Sequence, residues 1–192
     1  MEMQDNRELV NCLQALVKGD FEVSMGVGVV ETGENTEAAW LVNELATRLR
    51  GLDSEIKHLK KDIADEGKFG GQIEVHGSEG AWAEIVSDVN AISRNLKIQV
   101  RGISRVITAR ANGDLTLFLT TGAKGEIQEL EETINVMGRQ LETMTREMTR
   151  ISREIGSEKR SESRVDVPGL AGAWQDLAWN FNTMADTVSG RR

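Results

Sequence analysis

No tyrosine occurs in this 192-residue chain, proline occurs once, and aromatic residues make up only 4%. Strands favour aromatic and β-branched side chains, so this scarcity points to helices. The single cysteine, Cys12, excludes an internal disulfide and fits a reducing, cytoplasmic setting. No apolar run approaches about 18 residues, so no segment is expected to span a membrane. Met1 is followed by acidic and polar residues, so no signal peptide is expected. Basic residues are also scarce: 23 Lys and Arg stand against 31 Asp and Glu, for a net charge of -8. A phosphate-binding face needs clustered Lys and Arg, which argues against a nucleic-acid partner.

Catalytic equipment is equally thin. The two histidines differ in setting: His58 precedes Leu59 on a helix, and His76 lies in a connecting segment with no second ligand nearby. Together with Cys12 they make no metal site. Gly122-Ala123-Lys124-Gly125 lacks the spacing and the Ser/Thr of a phosphate-binding loop. No nucleophile, acid–base pair or ligand set is apparent, so neither enzymatic activity nor a cofactor is expected.

What the chain does have is a repeat. Asn43, Asn90, Asn135 and Asn182 are separated by 47, 45 and 47 residues. Ten residues before each stands a glycine: Gly33, Gly80, Gly125 and Gly172. Eight residues before each stands Asn35, Trp82, Ile127 or Trp174. The pattern divides the chain into four units, 5–49, 50–96, 97–142 and 143–189. A fixed period of this length denotes one supersecondary unit stacked on itself.

Each unit reads as helix, connector, helix. In repeat 1 the first helix carries Leu9, Leu13 and Leu16 and stops at Gly19. In repeat 3, Ile103, Val106 and Ile107 lead to Gly113; repeat 2 breaks at Gly67. The connectors carry apolar residues four apart: Phe21 and Met25, Phe69 and Ile73, Leu115 and Leu119. Three occurrences at one spacing suggest side chains that pin the connector to the helices. In repeat 4, Ser161 takes the first of these places, so that pin is expected to be missing. Each second helix is expected to run unbroken into the next first helix. From Ile127, the positions Leu130, Ile134, Met137, Leu141, Met144, Met148, Ile151 and Ile155 form a sustained heptad seam. Trp82 and Trp174 fall on seam positions, where core packing is the expected role.

Odd and even repeats differ. Counted back from the terminal glycine, repeats 1 and 3 share apolar positions at -10 and -6, whereas repeat 2 has them at -4, -8 and -11. At the junction of repeats 2 and 3, Gln99 and Arg110 interrupt the strict register, as in a stutter. The expectation is two bundle geometries held alternately along the array.

These residues resemble the HAMP domain, the signal-relay module of histidine kinases and chemoreceptors. The likeness rests on Lys18-Gly19-Asp20-Phe21 and Asn112-Gly113-Asp114-Leu115, each followed by a spaced connector hydrophobe. Glu34 and Glu126 resemble the acidic residue that opens the family's second helix. Ile134-Asn135-Val136-Met137 and Phe181-Asn182-Thr183-Met184 resemble its hydrophobe-Asn-x-Met signature. The alternation is similar to the HAMP arrays of soluble fungal group III hybrid histidine kinases, as is the run Val167-Pro168-Gly169-Leu170-Ala171-Gly172-Ala173-Trp174. The resemblance implies an all-α fold of stacked parallel four-helix bundles formed by a homodimer, with a kinase as effector and osmotic or antifungal sensing as the input. The exposed seam requires the same dimer independently, because a single helix pair would leave it in water. A passive dimerisation stalk is the alternative.

Overall fold

The computed structural model describes residues 2–26, 34–158 and 164–189, and all regular structure among them is helical. Five α-helices follow in order: α1 (Glu2–Val17), α2 (Glu34–Lys60), α3 (Ala81–Ala111), α4 (Glu126–Glu158) and α5 (Ala173–Val188). The chain forms two compact units, Met1–Lys97 and Ile98–Arg192. Among the described residues no helix is long and apolar enough to cross a membrane.

The second helices start on glycines with left-handed backbone. Gly80, Gly125 and Gly172 have φ of 54°, 62° and 55° immediately before α3, α4 and α5. A side chain there would strain the backbone, which accounts for the glycine ten residues before Asn90, Asn135 and Asn182; Gly33 lies outside the described residues. The first helices of repeats 1 and 3 end in matching Schellman caps. The Gly19 N–H donates to Leu16 O and the Asp20 N–H to Ala15 O, both at 3.0 Å. The Gly113 N–H donates to Arg110 O at 3.0 Å and the Asp114 N–H to Ala109 O at 2.9 Å.

Repeat 2 ends differently. After Lys60 the helix widens into a π turn, Lys61–Asp65, in which the Glu66 N–H donates to Lys61 O at 3.1 Å. The Lys68 N–H then donates to Asp62 O at 2.7 Å. A π turn absorbs one residue more than an α turn. Its effect is legible in the positions facing the connector. Repeats 1 and 3 bury Cys12 and Leu16, and Val106 and Arg110, at -7 and -3 from the terminal glycine. In repeat 2 the apolar places are Leu59 and Ile63, at -8 and -4. Leu59 still faces the connector: its Cδ1 lies 3.0 Å from where a Cβ on Gly71 would stand. The phase difference between these first helices is therefore an inserted residue, not a rotated face. In repeat 4 residues 159–163, including Ser161, lie outside the described ones.

Helix approach divides the repeats another way. Cα atoms of α1 and α2, and of α4 and α5, come within 8 Å, whereas neither α2 and α3 nor α3 and α4 do so. The cause is side-chain size on the buried face. Four residues before and three after the repeat asparagine, repeat 1 has Ala39 and Ala46, and repeat 4 has Ala178 and Ala185, all buried. Repeats 2 and 3 have Val86 and Ser93, and Glu131 and Gly138. Paired alanines let two backbones close, and a bulkier residue at either place holds them apart. The odd–even order expected from the sequence thus appears in the ends of the first helices of repeats 1 to 3, but not in helix approach.

Candidate functional site

The connectors are held by the repeat asparagines. In repeat 1 the Met25 N–H donates to Asn43 Oδ1 at 2.7 Å, and Asn43 Nδ2 donates back to Met25 O at 2.9 Å. In repeat 2 the Ile73 N–H donates to Asn90 Oδ1 at 2.8 Å, and Asn90 Nδ2 to Ile73 O at 3.0 Å. Leu119 and Asn135 pair in the same way at 2.9 and 2.8 Å. Val165 and Asn182 do so at 2.8 and 3.0 Å. A carboxamide is the right side chain for this task, since it offers one acceptor and one donor at the spacing of a backbone N–H and C=O. Every second helix thereby satisfies both polar groups of one connector residue that loop backbone would otherwise leave unpaired as it packs down.

The clamped residue is also the buried one. Met25, Ile73, Leu119 and Val165 are all buried, and the preceding pins Phe21, Phe69 and Leu115 are half-buried. Met25 joins Cys12, Leu16, Ala39, Val42 and Ala46 in one core, with Phe21 packed against it. Leu119 fills the space between Val106 of α3 and Ile134 of α4. In repeat 4, Val165 and Val167 are buried with Met144, Ile151, Ala178 and Ala185, with Phe181 alongside. Truncating Leu119 to alanine is expected to destabilise the protein by roughly 2 kcal/mol or more, because the helices around it cannot close the gap. Thermal or denaturant unfolding reads this directly, and a midpoint equal to that of the parent would make the connector a solvated loop.

Further bonds set the connector's ends. In repeats 1 and 3 the aspartate after the cap glycine closes an Asx turn. Asp20 Oδ1 accepts from the Glu22 N–H at 3.1 Å, and Asp114 Oδ1 from the Thr116 N–H at 3.0 Å. The Thr116 hydroxyl and backbone N–H together hold the Asp114 carboxyl below the usual carboxylate range. Glu131 does the same at the far end, accepting from the Thr121 N–H at 3.0 Å and its hydroxyl at 2.7 Å. Those two bonds lower its pKa likewise. In repeat 2 the buried Ser93 hydroxyl donates to Gly71 O at 2.7 Å.

The other sequence-selected residues fall into three places. Gly19, Gly67 and Gly113 terminate the first helices with positive φ. Glu34 and Glu126 are the first residues of α2 and α4. Trp82, Ile134, Met137, Trp174, Phe181 and Met184 lie on the second helices, and there burial separates them. Ile134 is buried and Phe181 and Trp82 are half-buried. Met137, Trp174 and Met184 are exposed, in line with Leu45 and Ile92. Leu45, Ile92, Met137 and Met184 all stand two residues after the asparagine and are 36–68% exposed. Ile85, Leu130 and Leu177, five residues before it, are exposed too. At 100° per residue, this apolar stripe lies well away from the clamp face. His58 and His76 are both exposed, and among the described residues no group of three potential metal ligands converges.

A groove of about 590 Å³ runs between Gly113–Thr116 and the Glu142–Glu154 stretch of α4. Its lining charges balance, with Arg146, Arg150 and Arg153 against Asp114, Glu142 and Glu154, and Arg150 pairs with Glu154 at 2.6 Å. It therefore offers no concentrated charge to a ligand.

The sequence marks the asparagines as the repeat's ruler and, at Asn135 and Asn182, as part of the hydrophobe-Asn-x-Met signature, but their bonding role was missed. Their recurrence 16–18 residues after an apolar connector residue was the available signal. The same ruler points to Val165, 17 residues before Asn182, which was also missed. The alanine pairs left no signal short of superposing the four copies. No protein-family model matches the chain, and a comparison with solved structures returns no match.

Proposed function

We propose that the chain is a signal-relay array of four HAMP-like units that works as a parallel homodimer. The observation that carries this reading is the arrangement of each second helix. One face clamps the unit's own connector through asparagine, while another presents exposed Leu45, Ile92, Met137 or Met184. A unit of this kind is half of a bundle, and a second copy set in parallel register covers the stripe with its own. A change of helix phase or splay at one unit then passes to the next through the shared helix. The effector, on the family resemblance, is a histidine kinase. A passive stalk has less support, because a rod gains nothing from connectors fixed by dedicated polar clamps.

The chain is expected to run at twice its 21.2 kDa mass in light scattering. With Cys12→Ser as background, Met137→Cys is expected to form a disulfide between copies under mild oxidation. A folded monomer at micromolar concentration, or a dimer in which Met137→Cys never cross-links, would overturn the parallel in-register assembly.

A further inference from the structure

Arg110 stands three residues before Gly113, the place that Leu16 holds before Gly19, and it is buried. Its Nη1 donates to the carbonyl of Ile134 on α4. Its Nη2 donates to the carbonyl of Leu117 on the connector at 3.3 Å. One side chain on α3 thus ties all three segments of repeat 3. The tie is incomplete, because Nε is buried without a partner. Among the described residues no carboxylate pairs with it; burial lowers its pKa and Arg139 adds repulsion.

The space for this guanidinium comes from Gly138. Three residues after the asparagine, the other repeats have Ala46, Ser93 and Ala185, each with a Cβ. A Cβ on Gly138 would stand 2.7 Å from Arg110 Nε and closer still to Cζ and Nη2. The guanidinium and a methyl group are therefore mutually exclusive occupants of one volume. Glu131, which stands where repeats 1 and 4 have Ala39 and Ala178, belongs to the wider spacing of α3 and α4.

We infer that Arg110 is a retractable latch: inserted beside Gly138 it fastens α3, the connector and α4, and withdrawn to solvent it frees them, making repeat 3 the unit that opens most easily. Two opposing effects bring the states close in free energy. Carbonyl bonds and packing favour insertion, whereas desolvation of an unpaired cation favours withdrawal. The long stem of arginine lets the head reach water without moving the helix. The inference adds to the relay reading a location for the switch, but it concerns one protomer's packing and stands whether or not the dimer forms.

The test is a cycle between repeat 3 and the pairing found in repeat 1. Gly138→Ala is expected to expel the guanidinium and lower the melting temperature. Arg110→Leu is expected to lower it by leaving the Gly138 space empty. The double variant rebuilds the Leu16–Ala46 pairing and is expected to melt above both single variants; additive losses would overturn the latch. Hydrogen exchange supplies the second readout, one that a static packing role would not move. The Leu119 amide is expected to exchange about tenfold faster than Met25 in the parent, and to slow toward it in the double variant. Equal protection of Leu119 and Met25 in the parent would overturn the proposal, whatever the oligomeric state.

Discussion

Replacing Asn135 with alanine is expected to destabilise the protein by about 3 kcal/mol, since both the N–H and the C=O of Leu119 lose their partner while the leucine stays packed. Asn135→Asp is a sharper version. It keeps an acceptor for the Leu119 N–H, but turns a carboxylate oxygen toward the Leu119 carbonyl where an amide donor stood. Its loss at neutral pH is expected to match that of alanine or exceed it. Denaturant unfolding followed by circular dichroism measures both. The equivalent substitutions at Asn43, Asn90 and Asn182 should behave alike, because the four bond pairs share one geometry. A variant that unfolds at the parent's midpoint would reduce the clamp to an incidental contact.

The second large effect contrasts two deletions. Removing Ala64 from the π turn is expected to leave stability within about 1 kcal/mol of the parent. The turn reverts to α geometry, and Leu59 and Ile63 fall at -7 and -3 from Gly67, the places of Cys12 and Leu16 before Gly19. Removing Ala109, by contrast, has no spare residue to draw on. It swings Val106 about 100° away from Leu119 and is expected to cost at least about 3 kcal/mol. Circular dichroism and unfolding curves of the two variants settle the matter. Equal damage from both deletions would mean that the extra residue in repeat 2 is not a simple insertion.

The reach of the sequence is clear from particular residues. The helices and their glycine ends were legible because periodicity and left-handed glycines are local properties. The apolar connector residues were legible because they repeat at fixed spacing. The bond between Asn43 and Met25 was not, since it joins residues 18 apart across a turn whose path only folding defines. The π turn was visible as a one-residue offset, but an offset has two physical solutions, rotation or insertion, and sequence alone does not choose between them. The Arg110–Gly138 exchange was hidden for a similar reason. Each residue breaks the pattern singly, as a polar interruption and a missing methyl, and only their contact shows that one break accommodates the other.

The asparagine clamps also decide where each unit can yield. A connector bonded at its midpoint to the following helix moves with that helix as one rigid part, like a bracket welded to a shaft. The preceding helix holds the same connector by fewer side-chain bonds, Glu8 to the Gly26 N–H, Glu55 to the Glu74 N–H and Arg110 to the Leu117 carbonyl. Sliding or turning of that helix must therefore break these and be taken up between its cap and the clamp, from Gly19 to Met25, Gly67 to Ile73 and Gly113 to Leu119. The bearing of each unit is therefore short and placed at one end. The three described bearings all open on a glycine whose positive φ costs no side-chain strain, so each unit's give is set next to the cap of its first helix.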